Sequence, residues 1–342
     1  DGSPVIRFRE PQIEMAHGAG GKATRRLIDG LFAPLLLNGA QLADAAGIEV
    51  DGTRLAVTTD GFVVTPVTFP GGSIGELAVN GTVNDLAVSG AKAVALLATF
   101  VLEAGLPADV LEAEVRAMAN AARAAGVPIV GGDTKVVEHG KTDRLYITTT
   151  GIGRMLPGVV IDPASVAVGD RILLSGPIGD HGITILLARG ELDLEAQLRS
   201  DTRSVFPLVA ALAGAAAPGL RWMRDPTRGG VATSLNELAL DCGLSIHIAE
   251  ERIPVRDEVR GACELLGLDP LHIANEGQFL AVVAAGHAEQ ALAAVRAVPG
   301  GEEAVLIGEV RAEPAAAVLV TTRYGGTRIV DMLVGDPLPR IC

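Results

Sequence analysis

Cysteine is scarce in this chain, which has three cysteines among its 342 residues. Cys242, Cys263 and Cys342 form no CxxC pair and show no other spacing typical of a metal site. The sequence also lacks an uncharged apolar run close to the ~18 residues that a membrane-spanning helix needs. These absences exclude a cysteine-based metal module and a membrane span. Because no signal-peptide pattern is present either, we expect a reduced, cytoplasmic setting.

Basic residues are also in short supply, with 28 Lys and Arg against 41 Asp and Glu and a net charge of −13. No Lys/Arg cluster offers the positive surface that a nucleic acid requires. The composition therefore excludes a nucleic-acid partner, and any anionic ligand must be held by a local site. The length points to two domains, because single hydrophobic cores rarely grow beyond roughly 250–300 residues.

Short β-like runs alternate with helix-like runs, and the alternation occurs twice along the chain. In the first half, helical periodicity is clear in "ADVLEAEVRAMANAARAAG", where Gly126 is predicted to end the helix. In the second half, the strand candidates "AVLIGEV" and "AVLVTT" follow each other directly, which indicates some antiparallel pairing. The pattern predicts the α/β class with an α+β tendency, in two domains with mixed sheets.

The turn-rich segment "RMLPGVVIDPASVAVGD" separates the two halves. We predict an N-terminal arm over residues 1–13, a first domain over 14–156 and a second domain over 157–334. Residues 335–342 are predicted to form a mobile tail, because Pro337 and Pro339 prevent it from joining a helix or an inner strand.

The stretch "HGAGGKAT" at 17–24 superficially resembles a phosphate-binding loop. It fails as a P-loop, because Ala23 replaces the Ser or Thr that binds Mg²⁺. Gly20 and Gly21 would still let backbone N–H groups approach an anion ahead of a helix, with Lys22 nearby. A flexible turn before "TRRLIDGLF" is the alternative interpretation.

Three aspartates of the first half lie inside or at the end of apolar segments, where an unpaired carboxylate is costly. They are Asp60, Asp85 and Asp133. Each alone is typical of a cap or turn, but three in one domain favour oxygen ligands for Mg²⁺ on substrate phosphates. Lys135 follows closely and would place a positive charge near a phosphate or the reacting group.

Glycine-rich helix starts in the second half offer further anion sites, although ordinary N-caps explain them equally well. Asp180 lies in "GPIGDHGIT", and Asp225 and Arg228 lie in "RDPTRGG". Glu276, in "ANEGQF", is a candidate general base, with a solvated loop residue as the alternative. Cys242 and Cys263 are expected to be packed or half-packed thiols.

These motifs, and above all the final "PLPRIC", resemble the HypE family of hydrogenase maturation factors. The family belongs to the superfamily of aminoimidazole ribonucleotide synthetase and selenophosphate synthetase, with the PurM-like fold. The resemblance runs from about His17 to Cys342. It implies an ATP-dependent carbamoyl dehydratase, a homodimer built from the N-terminal domains, and ATP with Mg²⁺ in the resulting cleft.

The resemblance also implies a role for each candidate residue. Cys342 would carry the substrate, and Lys135 and Glu276 would handle charge and protons. Mg²⁺ would be held by Asp60, Asp85 and Asp133, and nucleotide binding would involve Gly20, Gly21, Asn84, Thr134, Asp180, Asp225 and Arg228. The implied partners are the carbamoyltransferase HypF and the iron-bearing HypC–HypD complex.

In this family, carbamoyl on the cysteine sulfur becomes a thiocyanate that supplies cyanide ligands to the iron of [NiFe] hydrogenase. Two alternatives stay open from the sequence. One is another ATP-using synthetase or small-molecule kinase of the same superfamily, for which Cys342 would be incidental. The other is a nucleotide-responsive scaffold whose tail only docks a partner.

Overall fold

The computed structural model describes residues 7–37, 43–190, 197–335, 338 and 340–342. Two mixed β-sheets organise these residues, one in each half of the chain. Within the described residues, no helix combines the length and apolarity that crossing a membrane requires.

The first half is built on a five-stranded sheet with two larger helices. Its strands are β1 (Ala46–Val50), β2 (Thr53–Phe62), β3 (Thr68–Phe69), β4 (Gly72–Ser73), β5 (Ala91–Glu103), β6 (Ile129–Val137) and β7 (Leu145–Met155), and its helices are α1 (Lys22–Leu27), α2 (Ala33–Leu36), α3 (Ile74–Val88) and α4 (Ala108–Ala125). The sheet order is β1-β2-β7-β5-β6, with β5 and β6 parallel and the other pairs antiparallel. β3 and β4 form a separate short hairpin.

The second half is built on a seven-stranded sheet. Its strands are β8 (Arg171–Leu174), β9 (Leu220–Arg224), β10 (Ser245–Ala249), β11 (Leu280–Val283), β12 (Val305–Arg311), β13 (Ala317–Thr321) and β14 (Thr327–Val330), and its helices are α5 (Asp180–Ala188), α6 (Phe206–Ala216), α7 (Gly230–Cys242), α8 (Asp257–Leu266) and α9 (Ala288–Arg296). The order is β14-β13-β10-β12-β8-β11-β9, and only β10 with β13 is parallel among these pairs.

Helix α3 joins the two halves. It packs on β2, β5 and β7 on one side and against α4 and α6 on the other, so nearly all of its side chains are buried. Its last turn adds Ala87 and Val88 to a core that otherwise consists mainly of second-half residues. Burial on nearly every side is typical of a helix in such a central position.

Asn84 ties α3 to the second half by polar contacts. Its side-chain Nδ2 donates to the carbonyl oxygens of Arg203 (2.9 Å) and Glu276 (3.2 Å), and its Oδ1 accepts from the N–H of Val205 (2.8 Å). The residue is 1% exposed. All of its side-chain hydrogen bonds recorded in the structure therefore serve the contact between halves.

The mixed α/β architecture predicted from the sequence is confirmed, and α4 ends at Gly126, which adopts φ +66° as a left-handed cap. The sequence analysis missed α6, because "FPLVAALAGAA" has no polar face to produce a helical period. It also missed the edge strands β1, β9 and β14. The predicted domain bounds stay predictions, and the turn-rich divider lies between Met155 of β7 and Arg171 of β8.

We expect Asn84→Ala to lower the free energy of unfolding by about 2–4 kcal/mol, because it leaves buried backbone groups of the second half without partners. Urea denaturation followed by circular dichroism measures the change. Asn120→Ala, an exposed position on α4, is the matched control and should stay within about 0.5 kcal/mol of the unsubstituted protein. Equal stability of the two variants would show that the Asn84 hydrogen bonds do not stabilise the contact between the halves.

Candidate functional site

Three carboxylates from separate elements meet between the halves. Asp44 precedes β1, Asp85 lies in the last turns of α3, and Asp225 directly follows β9. One oxygen of each lies within 4.8 Å of the others. The hydroxyl of Thr58 lies 2.7 Å from the backbone oxygen of Asp44 and 2.8 Å from Oδ2 of Asp85, which fixes their separation. Strand β2, which carries Thr58, therefore sets the geometry of this carboxylate cluster.

Burial and mutual repulsion shift the titration of all three groups. Burial raises the pKa of Asp225 to about 8, with the charge of Asp44 adding to the effect. Burial likewise raises the pKa of Asp44 to about 6, although the Arg224 guanidinium at 2.9 Å opposes the shift. The pKa of Asp85 rises well above its usual value for the same two reasons, burial first and the charge of Asp225 second. Full ionisation of the cluster would thus create more negative charge than its protein surroundings compensate.

A divalent cation fits this arrangement. The donors are all oxygens, they converge, and their raised pKa values show that a nearby positive charge would stabilise the ionised forms. Hard oxygen ligands are those that Mg²⁺ prefers, with substrate phosphates and water completing its shell. Asp44 was missed in the sequence analysis. The signal was present, because Asp44 sits in the apolar run "QLADAAG" just as the other aspartates do.

Asp60 and Glu276 border the cluster. Asp60 lies on β2, half-buried, and its charge contributes to the raised pKa values of both Asp85 and Asp225. Glu276 is 3% exposed, and its pKa is raised well above the usual value, first by burial and then by Asp225 and Asp60. Its Oε1 is buried without a hydrogen-bond partner among the described residues. A carboxyl in this state is suited to accept or hold a proton in a dry site.

The glycine stretch packs against the second half. Gly20 adopts φ +76°, and its N–H donates to the hydroxyl of Thr24 at 2.9 Å. A Cβ on Gly21 would lie 2.1 Å from the backbone oxygen of Leu333, so only glycine fits there. Arg228 donates to the backbone oxygen of Gly18 at 2.9 Å. Burial raises the pKa of Asp60, and the positive charge of Arg228 opposes that rise, which connects this loop to the cluster.

Asp133, Thr134 and Lys135 lie away from the cluster within one chain. They sit on β6, the edge strand, three strands from Asp60, which corresponds to about 14 Å across a sheet. Lys135 Nζ contacts Asp133 Oδ2 at 2.6 Å, and all three side chains are exposed. The structure therefore brings Asp60 and Asp85 together but not Asp133, and the metal role of Asp133 stays a prediction.

Asp180 lies at the first residue of α5, on the border of a cavity of about 980 Å³. Arg256 donates to its Oδ2 at 2.8 Å, whereas burial raises its pKa to about 6. The other oxygen, Oδ1, is buried without a partner among the described residues. The predicted nucleotide role of Asp180 and that of Asn84 are not decided by these contacts.

The end of the chain docks on the segment that directly follows β2. Ile341 forms an antiparallel bridge with Val64, and the N–H of Val63 donates to the carbonyl oxygen of Cys342 at 2.8 Å. The pairing direction carries the chain from Val64 back toward Asp60, which lies three residues, or about 10 Å, from Val63. Cys342 is half-buried and packs against the core of the first half.

Two side chains of the second half hold the docked end by its backbone. His181 Nε2 lies 2.6 Å from the carbonyl oxygen of Ile341, and Arg189 Nη2 donates to that of Arg340 at 2.8 Å. The side chain of Leu338 is 4% exposed and joins the first-half core. The mobility predicted for the tail stays a prediction, and residues 336, 337 and 339 lie outside the described residues.

Comparison with known proteins places both halves in one family. The AIR synthase related protein families match at residues 42–155 for the N-terminal domain and 167–321 for the C-terminal domain. The carbamoyl dehydratase HypE of Azotobacter vinelandii is 51% identical, and the match covers 98% of this chain and 99% of that protein. This chain belongs to the HypE family. The family and the fold predicted from the sequence are thereby confirmed.

Solved structures of HypE proteins share the architecture. One is the crystal structure of a HypE–HypF complex, with a TM-score of 0.85 and 43% identity over 90% of this chain and 99% of that chain. Another is a HypE structure in complex with ATP, with a TM-score of 0.81 and 43% identity over 97% of this chain and 100% of that chain. HypE proteins thus include one solved with HypF and one solved with ATP.

We expect Mg²⁺ to raise the melting temperature of the nucleotide-free protein, because a cation among Asp44, Asp85 and Asp225 relieves their repulsion. Asp44→Asn should reduce this Mg²⁺-dependent shift to less than half. Glu264→Gln removes an exposed carboxylate from α8 and should leave the shift unchanged. Differential scanning calorimetry with Mg²⁺ and after EDTA treatment makes the measurement. The same shift in Asp44→Asn as in the unsubstituted protein would remove Asp44 from the ligand set.

Proposed function

We propose that this chain is an ATP-dependent carbamoyl dehydratase that converts a carbamoyl group on its own Cys342 into a thiocyanate for hydrogenase maturation. The observation that carries the proposal is the docked end of the chain, which pairs with Val64 and runs toward Asp60 at the carboxylate cluster. The cysteine that carries the substrate in this proposal is thus paired with Val63, which lies three residues from Asp60 of the candidate ATP site. The family supports the same assignment, since its members include a HypE solved with ATP.

The chemistry requires activation of a poor leaving group. In S–C(=O)NH₂ the carbonyl oxygen attacks the γ-phosphorus of ATP while a base removes one amide proton, and the bond from phosphorus to ADP breaks. The product is an O-phosphorylated imidate. Loss of the second nitrogen proton and cleavage of the C–O bond then give S–C≡N and phosphate. The carbonyl oxygen leaves in the phosphate, so the net change is loss of water from the carbamoyl group at the expense of one ATP.

We assign removal of the first amide proton to Glu276, and the departing phosphate takes the second. The Glu276 carboxyl is buried, its pKa is raised, and its Oε1 has no partner among the described residues. These are the properties of a group that accepts a proton at neutral pH inside a water-poor site. Asp44, Asp85 and Asp225, with Asp60 beside them, would hold Mg²⁺, which supplies charge neutralisation on the phosphates when bound. The Gly20–Gly21 backbone lies against Arg228. Both are proposed to contact the nucleotide.

A homodimer explains the position of Lys135 and Asp133. Strand β6 is an open edge of its sheet among the described strands, and it exposes Val130 (61%) and Val136 (66%). Such an edge is normally covered or charged in a stable monomer. We propose that β6 is covered by a second copy, so that Asp133, Thr134 and Lys135 act at a cleft between protomers.

HypF is the proposed donor of the carbamoyl group, in line with the solved HypE–HypF complex. The HypC–HypD complex is the proposed acceptor of the cyanide. To reach either partner Cys342 must leave its docked position, which requires release of its backbone hydrogen bond with Val63 and of the core packing of Leu338 and Ile341. We propose a cytoplasmic location, where thiols are kept reduced.

Substitution of Cys342 tests the leading proposal. Carbamoyl phosphate, ATP and HypF should add about 43 Da to the tail peptide and then leave about 25 Da, the masses of the carbamoyl and cyano adducts on a nucleophilic sulfur. Cys342→Ala should bind ATP with unchanged affinity and show neither mass. Peptide mass spectrometry and hydrogenase maturation assays provide the readouts.

Cys342→Ser is the sharper control, because a hydroxyl is similar in size but a much weaker nucleophile than a thiolate. If Cys342 carries the substrate, Ser fails as fully as Ala. A tail that only docks a partner should tolerate Ser with little loss. Normal hydrogenase maturation by the Cys342→Ser protein would therefore refute the dehydratase proposal.

We expect Val136→Glu to convert the dimer into a monomer, because it places a charge on the edge that a second copy would cover. If Asp133 and Lys135 act across the interface, loss of the dimer in Val136→Glu should lower ATP turnover at least tenfold. Light scattering measures the mass, and Val160→Glu, at a site of similar exposure (60%), is the control. A monomeric unsubstituted protein with full activity would contradict the shared cleft.

A further inference from the structure

We infer that Ser200 and Asp201, two consecutive residues to which the sequence analysis assigned no role, form a positioning element that couples docking of the Cys342 tail to the orientation of Glu276. The inference rests on the proposed function and deepens it. Ser200 contacts the residue that holds the tail, and Asp201 holds the backbone of the proposed base.

The first contact is a directional chain of hydrogen bonds that ends on the tail. His181 is fully buried, and its pKa falls to about 4 because of that burial, so the ring is neutral. A nitrogen 2.6 Å from the carbonyl oxygen of Ile341 must carry the proton, which assigns it to Nε2. Nδ1 is then an acceptor, and the hydroxyl of Ser200 donates to it at 2.8 Å. Ser200 thus stabilises the tautomer of His181 whose Nε2 donates to the carbonyl oxygen of Ile341 in the tail.

The Ser200 hydroxyl is itself held in place. Its oxygen accepts the N–H of Thr202 at 3.1 Å, which directs the hydroxyl proton toward His181. The backbone N–H of Ser200 donates to the carbonyl oxygen of Pro70 at 2.9 Å. A Cβ on Gly71 would lie 2.8 Å from the Ser200 backbone. The two segments are therefore in close contact, and the backbone of Ser200 has little room to move. The ring of Phe69 packs edge-on against His181 with centroids 5.6 Å apart.

The second contact fixes the loop that presents Glu276. Asp201 Oδ1 accepts the N–H of Glu276 at 3.0 Å, and Oδ2 accepts the N–H of Gly277 at 3.2 Å. A Cβ on Gly277 would lie 1.8 Å from the backbone oxygen of Asp201, which explains the glycine after the glutamate. The carbonyl oxygen of Glu276 is bound by Asn84. The backbone of Glu276 is therefore held at both its N–H and its carbonyl, while its side-chain Oε1 stays available.

The coupling follows from adjacency in the chain. Ser200 and Asp201 share a peptide bond, so a displacement of one is transmitted to the other within a single backbone unit. When the tail is hydrogen-bonded to His181, the His181 ring is fixed and accepts the hydroxyl proton of Ser200. The Asp201 carboxylate, one residue further along the chain, is then held against the Glu276 loop. Groups held in this way react faster because less reorganisation is needed.

Single-turnover dehydration of purified, carbamoylated full-length protein with Mg²⁺ and ATP tests the coupling. Ser200→Ala removes the donor to His181 and should slow formation of the thiocyanate peptide roughly tenfold, the scale that loss of one buried hydrogen bond produces. It should also raise the rate at which iodoacetamide alkylates Cys342 in the nucleotide-free protein. Asp201→Asn should slow dehydration by a similar factor and leave the alkylation rate unchanged, because its contacts lie on the Glu276 side.

Thr184→Val is the matched control. Thr184 lies on the same helix as His181, is 1% exposed, and its hydroxyl has no hydrogen-bond partner among the described residues. This variant should match the unsubstituted protein in both readouts. The affinity for ATP should be the same in all variants, because a positioning element changes the rate of the chemical step and not nucleotide binding.

Equal dehydration rates in Ser200→Ala and Thr184→Val would overturn the inference. A parallel loss of ATP affinity would also overturn it, since that result indicates a general structural role. Failure of the proposed function is distinguishable, because the unsubstituted protein would then form no thiocyanate at all. The rate of Cys342 alkylation reports on how firmly His181 and Ser200 hold the tail, independently of any catalytic activity.

Discussion

The repulsion among carboxylates confined between the two halves is the constraint on which the rest of the molecule depends. Asp44, Asp85 and Asp225 approach within 4.8 Å of one another, and burial raises the pKa of each. Arg224, paired with Asp44 at 2.9 Å, offsets only part of that charge. Such a site is costly to build, and a bound cation with its phosphates would stabilise it. In the proposed function, the stability of the fold and its affinity for a metal-bound nucleotide would therefore be linked.

The same confinement explains why the joint between the halves is polar as well as apolar. Helix α3 supplies Asp85 to the cluster and Asn84 to the opposite domain from adjacent positions. A purely apolar joint would hold the halves together but would not fix the angle at which carboxylates from three elements converge. Hydrogen bonds of defined length fix that angle because they are directional. The docked end of the chain uses the same joint, with β2 on one side and α5 on the other.

Much of the fold and part of the site were predictable from the sequence. The helices with a polar face, such as α4 and α8, show a period of 3.6. Strands β5 and β7 are rich in β-branched and aromatic residues, which favour strands. Helix α6 was missed because it is apolar on every side, and β1, β9 and β14 were missed because short edge strands carry little pattern. Asp60 and Asp85 were found as carboxylates in apolar surroundings, and Asp44 was overlooked although it fits the same criterion.

The sequence by itself determined the chemistry that is available, namely oxygen ligands, glycine-rich turns, a lone glutamate beside a glycine and a cysteine behind two prolines. Only the tertiary structure decided which of these groups meet. It joined Asp44 and Asp225, 181 residues apart in the chain, and it placed Asp133 on an edge strand away from them. It also brought Ser200 into contact with His181, and Asp201 into contact with the backbone of Glu276. The reason is physical: local residue patterns encode burial and turns, whereas contacts between distant segments depend on how sheets and helices pack.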